Sequence, residues 1–108
     1  MHSIERKYKI IAAVSNDRVR REELLCSLIV AAGMARTPGA AKQIISRSIS
    51  DVSLETCFFV AVHNFNFCRS HLITQKLVRL ALQGVPVFLS VRNIPNQMLQ
   101  FCEVYYAE

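Results

Sequence analysis

"TCFFVAVHNFNFCRSHLITQKLVRLALQGVPVFLSV", residues 56–91, holds the pattern that decides the fold. Its two ends, "TCFFVAVHN" and "VPVFLSV", are short apolar runs rich in β-forming residues without a clean alternation, as strands covered on both faces read. Between them Ile73, Leu77, Leu80 and Ala81 recur at helical spacing, while Lys76, Arg79 and Gln83 fall on the other face. Ser70 is placed to cap this helix and Gly84 to stop it. The stretch predicts a strand, a helix and a parallel strand, a crossover expected to be right-handed.

Upstream, "KYKIIAAVS", residues 7–15, predicts another buried strand. Asn16 or Asp17 caps a helix from Arg18 to Ala32, in which Leu24, Leu25, Leu28 and Ile29 form the apolar stripe and Gly33 ends the run. Glu22 and Glu23 sit near the positive end of this helix. A second helix opens on Thr37, with Pro38 in the first position, where a missing N–H costs nothing, and runs through Ala41, Ile44 and Ile45 to about Ser48. Downstream, residues 94–101 read as a short helix and "CEVYYAE" as a last, edge strand. Buried strands alternating with helices predict an α/β fold: one domain, residues 1–108, built as a three-layer α-β-α sandwich with a mostly parallel central sheet.

The composition supports this. Of 108 residues, 52% are apolar and 19% charged, with only three glycines and three prolines, which excludes a disordered tail and a loop-rich fold. The net charge is +5, and nine of the thirteen basic residues are arginine, the side chain that grips phosphate and carboxylate with a planar fork. The cysteines, Cys26, Cys57, Cys68 and Cys102, form no C-x-x-C pair. Reduced thiols in a cytoplasmic protein are the simplest reading. The charged start "MHSIERKYK" does not read as a secretory leader, and no apolar run is of membrane-spanning length, so no membrane partner is expected.

Enzyme signatures are sparse. No glycine-rich phosphate loop follows a strand, there is no G-x-S-x-G, and no carboxylate pair is spaced for acid–base work. Cys68 with His63 or His71 has the residue types of a nucleophile and base, but a cysteine packed inward beside a loop histidine fits the same pattern. Cys57, His63, Cys68 and His71 have no familiar zinc spacing, so neither metal nor cofactor is expected.

Two places invite a ligand. The first is the edge where the strands end, which in open α/β sheets is where ligands sit. His63, Asn64, Arg69, Ser70 and His71 follow one strand, Arg92 the next, and Ser15-Asn16-Asp17 the first. The second is a basic corner between the first two helices, comprising Arg18, Arg20, Arg21, Arg36, Thr37, Gly39, Lys42 and Arg47. There Thr37-Pro38-Gly39-Ala40 offers backbone N–H groups at a helix start, between Arg36 and Lys42, as a docking turn for phosphate. The competing reading is a corner whose small residues let two helices pack closely. RNA or another nucleic acid is the expected partner. The alternative is a degenerate receiver-like or adaptor domain, binding a protein or a second copy through "MLQFCEVYY", which has no basic residue and carries Phe101, Tyr105 and Tyr106.

From Glu23 to about Tyr106 the chain resembles the kink-turn-binding ribosomal protein family. The resemblance lies in "LLCSLIVAAG", a glycine six residues on opening "GAAKQIISRSI", then "FFVAVHN", "LALQG", "VPVFLSV" and "NIPNQMLQFC". It implies an α-β-α sandwich and RNA contact at the start of the second helix. Where that family carries G-x-N-E, this chain has Gly39, Ala40, Ala41 and Lys42.

Overall fold

The computed structural model describes residues 10–55, 58–67 and 71–107. Its elements are β1 (Ile10–Val14), α1 (Arg18–Ala31), α2 (Pro38–Ile44), a 3-10 turn (Ile49–Asp51), β2 (Val60–Val62), α3 (His71–Leu82), β3 (Val87–Val91), a second 3-10 turn (Asn96–Phe101) and β4 (Cys102–Tyr106). The four strands form one parallel sheet in the order β2-β3-β1-β4. β1 is therefore central, between β3 and β4, whereas in the flavodoxin-like order 2-1-3-4-5 it lies between β2 and β3.

Strand alternation divides the core into two layers. Ile10, Ala12 and Val14 of β1, with Val87, Leu89 and Val91 of β3, face Leu77 and Ala81 of α3 and Met98 of the second 3-10 turn. Ala13, Ala61 and Phe88 face the other way, onto Leu25, Cys26 and Ile29 of α1 and Ala41 of α2. The result is a helix layer on each side of the sheet, the expected sandwich. β2 and β3 with α3 form the crossover read from residues 56–91.

Both long helices end as their glycines foretell. Gly33 and Gly84 have φ of +83° and +93°, conformations that cost a residue with a Cβ, and the chain closes with Met34 N–H donating to Ile29 C=O and Val85 N–H to Leu80 C=O. At the start of α1, the Asp17 carboxylate accepts from the N–H groups of Val19 and Arg20.

Several expected boundaries move. α2 stops at Ile44, because Ile45 is extended and buried, and Ser46 then bridges to Val62 at the outer edge of β2. Sheet pairing there outweighs helix continuation. The strand read over 56–64 is ordered as β2 only over Val60–Val62; Phe58 is exposed, and Thr56 and Cys57 lie outside the described residues. The stripe of α1 is rotated by about one residue: Leu25 and Ile29 are fully buried, while Leu24 and Leu28 are half-buried. Ile44, expected inside, is exposed. The expected helix at 94–101 is a 3-10 turn, and β4 is an edge strand paired only with β1 among the described strands. The Ser70 cap lies outside the described residues.

Candidate functional site

All four strands run parallel, so the segments after β1, β2 and β3 meet at one end of the sheet. They form a cleft of about 420 Å³ lined by Arg21, Asn64, Phe65, Asn66, Phe67, Arg92 and Asn93. Arg21 is the decisive member. It occupies the second turn of α1, four residues before Leu25 and eight before Ile29, and so continues their stripe toward the end of the sheet. Its side chain is only 6% exposed. One guanidinium nitrogen, Nη1, donates to the Ser15 carbonyl at 2.9 Å, Nη2 donates to Asn64 Oδ1, and Nε is buried without a partner. Both acceptors are neutral, and no carboxylate forms an ion pair with Arg21 or Arg92 among the described residues. Burial, then the neighbouring charges of Arg92 and Arg18, lower the pKa of Arg21, with Asp17 opposing weakly. Arginine's high intrinsic pKa keeps it charged nonetheless.

Asn64 is held in place to receive that guanidinium. It adopts a left-handed conformation, φ +63°, which asparagine tolerates better than most residues. Its backbone N–H donates to Ser90 Oγ at 2.7 Å, and the next residue, Phe65, donates its N–H to the Ser90 carbonyl at 2.9 Å. Ser90 is fully buried in β3, on the face that carries Phe88. Its hydroxyl also lies 2.6 Å from His63 Nδ1. Burial lowers the pKa of His63 more than neighbouring Glu22 raises it, so the ring is neutral. The assignment that satisfies both groups has Ser90 donating to Nδ1, which leaves Nε2–H facing Glu22 Oε1 at 3.9 Å, beyond hydrogen-bond range. Glu22 in turn pairs with Arg47 at 2.7 Å, and this hydrogen bond is the main reason its pKa is lowered. Behind the cleft runs a chain of contacts: Arg21, Asn64, Ser90, His63, Glu22, Arg47.

Some of the residues read from the sequence are therefore brought together and others are not. Arg21, Asn64 and Arg92 converge on the cleft, joining one residue of the expected basic corner to two of the expected strand-end edge. Arg18 and Arg20 are exposed on the first turn of α1, and the charge of Arg18 reaches Arg21. His63, expected at an open edge, is instead buried: strand alternation turns it onto the α1 face behind the cleft. His71 is exposed at the start of α3 and lines a separate groove with Met98 and Phe101. Arg69 and Ser70 lie outside the described residues, as do Cys57 and Cys68.

The basic corner is less basic than its residue list suggests. Arg36 and Lys42 are exposed, but Lys42 shares its depression between α1 and α2 with Glu22 and Glu23, and Arg47 is taken by Glu22. Thr37 Oγ1 accepts from the Ala40 N–H at 3.1 Å, so the side-chain cap uses one of the N–H groups expected to face phosphate. Gly39 is exposed, and a Cβ added there would meet only the Thr37 hydroxyl, at 4.0 Å.

Ser90 and His63 make a close serine–histidine pair, and both are closed off from solvent. The hydroxyl already accepts from Asn64, so the pair is built to support a loop and presents no nucleophile to a substrate. No group of three metal-ligating side chains converges among the described residues, and among them no helix is long and apolar enough to cross a membrane. Comparison with protein-family models, curated proteins and solved structures returns no match.

Proposed function

We propose that this chain is a binding domain for RNA or another nucleic acid, with a phosphate seated in the strand-end cleft. The observation that carries this reading is Arg21, a buried guanidinium that forms no ion pair with a carboxylate among the described residues, beside a second arginine, Arg92, of which the same is true. Burying a charge is costly unless it is paired, so such an arginine is expected where an anion completes the site. Arg18 and Arg20, exposed on the same helix end, extend the positive surface outward. Arg36 and Lys42 supply further exposed charge along the α1–α2 corner. Phosphate contacts of this kind position a strand without reading its sequence.

The test is the salt dependence of binding to a labelled single-stranded RNA, followed by fluorescence anisotropy. Affinity falls with a slope of about 0.7 per neutralised phosphate in log–log form. Arg92→Ala lowers the slope by roughly one phosphate contact and weakens binding to unrelated sequences alike. A complex insensitive to salt, or to Arg92→Ala, removes the cleft from the reading.

A second reading rests on β4. Among the described strands it is an edge strand, paired only with β1, and it exposes Tyr106 and part of Tyr105. An open edge is a template for strand addition by a protein partner or a second copy of the chain. If the RNA titration is flat while Tyr106→Asp abolishes self-association in sedimentation, the adaptor function is the one that stands.

A further inference from the structure

We infer that the strand-end cleft is a pocket for a phosphomonoester, the doubly charged phosphate found at the end of a nucleic acid strand or on a free nucleotide. This rests on the phosphate reading above and narrows it. A diester inside a strand carries one charge, whereas a terminal phosphate carries about −1.5 to −2 at neutral pH. The cleft offers two guanidinium groups, Arg21 and Arg92, and among the described residues neither forms an ion pair with a carboxylate. The charge that balances two arginines is a dianion.

The geometry of the donors points the same way. The Ser15 carbonyl and the Asn64 side-chain oxygen fix Arg21 at two of its three nitrogens without neutralising it, so its direction is set before any ligand arrives. The third, Nε, is buried and unpaired, a donor in need of an acceptor. Because Asn64 turns its oxygen to Arg21, its amide N–H groups lie on the opposite side of the carboxamide as further donors. Arg92 comes from a different strand end, so the two guanidiniums approach from separate elements. Size argues for a terminal group as well. About 420 Å³ is near the lower end for small-ligand pockets, room for one nucleotide, whereas a mid-strand phosphate brings a neighbour on each side. Phe65 and Phe67, in edge-to-face contact at 5.0 Å, form a firm apolar wall that excludes water from one side of the anion.

The experiment uses the full chain and one ten-nucleotide RNA sequence in three forms: with a 5′-phosphate, with a 3′-phosphate, and with hydroxyls at both ends. Adenosine monophosphate and inorganic phosphate serve as competitors. One phosphorylated form should bind about ten- to a hundredfold tighter than the hydroxyl form, the range expected of charge-assisted hydrogen bonds. Adenosine monophosphate should compete for that increment. Arg92→Gln, at an exposed position, should erase the increment with the fold intact by circular dichroism. Arg21→Met keeps the buried stem without the charge and should do the same. Equal affinity for all three RNA forms would falsify the monoester pocket and leave the nucleic-acid reading in force. Binding of adenosine monophosphate that depends on Arg92, with no binding of any oligonucleotide, would uphold the pocket and overturn nucleic acid as the partner. If no probe binds, both are wrong.

Discussion

Replacing Ser90 by alanine removes one oxygen atom and two hydrogen bonds. The Asn64 N–H loses its acceptor at 2.7 Å and His63 Nδ1 loses its partner at 2.6 Å. Ser90 and His63 are buried, and the Asn64 N–H bond to Ser90 is partly buried although Asn64 itself is exposed, which keeps water from replacing the lost hydroxyl fully. Each orphaned buried group costs about 1–3 kcal/mol, and the partly buried Asn64 N–H falls at the lower end, so Ser90→Ala should destabilise by about 2–4 kcal/mol. For a domain near this size that corresponds to a fall in Tm of roughly 8–25 °C. Urea unfolding followed by circular dichroism measures it, with Ser27→Ala as the control: the Ser27 hydroxyl bonds only the Glu23 carbonyl on the exposed face of α1, so its loss should stay within about 0.5 kcal/mol. A similar, small effect for both variants would refute the claim that Ser90 holds the Asn64 loop. The consequence reaches the cleft, because Asn64 is what Arg21 leans on. Ser90→Ala should therefore also weaken phosphate binding, even though the residue touches no ligand.

Acid should destabilise the protein from about pH 6.5 downward, because burial lowers the folded-state pKa of His63: below 6.5 the unfolded chain takes up a proton the folded one refuses, and stability falls with pH. Glu22 extends the loss at lower pH, since its lowered pKa gives stability that is present above about 4.5 and disappears as its pairing with Arg47 is protonated away; His63→Gln should flatten the upper part of the stability–pH curve and leave the lower part. Burial pushes the Cys102 thiol up to about 11 and raises that of Cys26, so alkylation mapped by mass spectrometry should reach neither residue until the domain unfolds. Leu25→Ala should cost about 2–5 kcal/mol and Leu24→Ala clearly less; equal losses would contradict the rotation of α1 seen here.

The chain's own sequence determined what depends on near neighbours. The apolar runs at 60–62 and 87–91, the helical spacing of Leu77 and Ala81, and the glycines at 33 and 84 are local signals, and each became the strand, helix or stop it predicted. Alternation of strands and helices then left a layered, parallel sheet as the economical arrangement. Boundaries failed where a distant partner competed with local preference, as when Ser46 left a helical run to bridge Val62. The candidate site was half legible. Asn64 and Arg92 could be placed at strand ends by counting, because parallel strands end on one side.

The charge of Arg21 assigns it to the basic surface, although its spacing four residues before Leu25 puts it on the buried stripe. That signal is visible in the sequence, but charge argues against it, since an arginine in such a position is usually at the surface. Only the tertiary structure decides the matter. It brings the Ser15 carbonyl and Asn64 to the guanidinium from segments 6 and 43 residues away in the chain, and it turns His63 inward to Ser90, 27 residues on. Those meetings depend on strand order and register, which no short-range pattern encodes, and they separate a buried cation awaiting an anion from one more exposed charge.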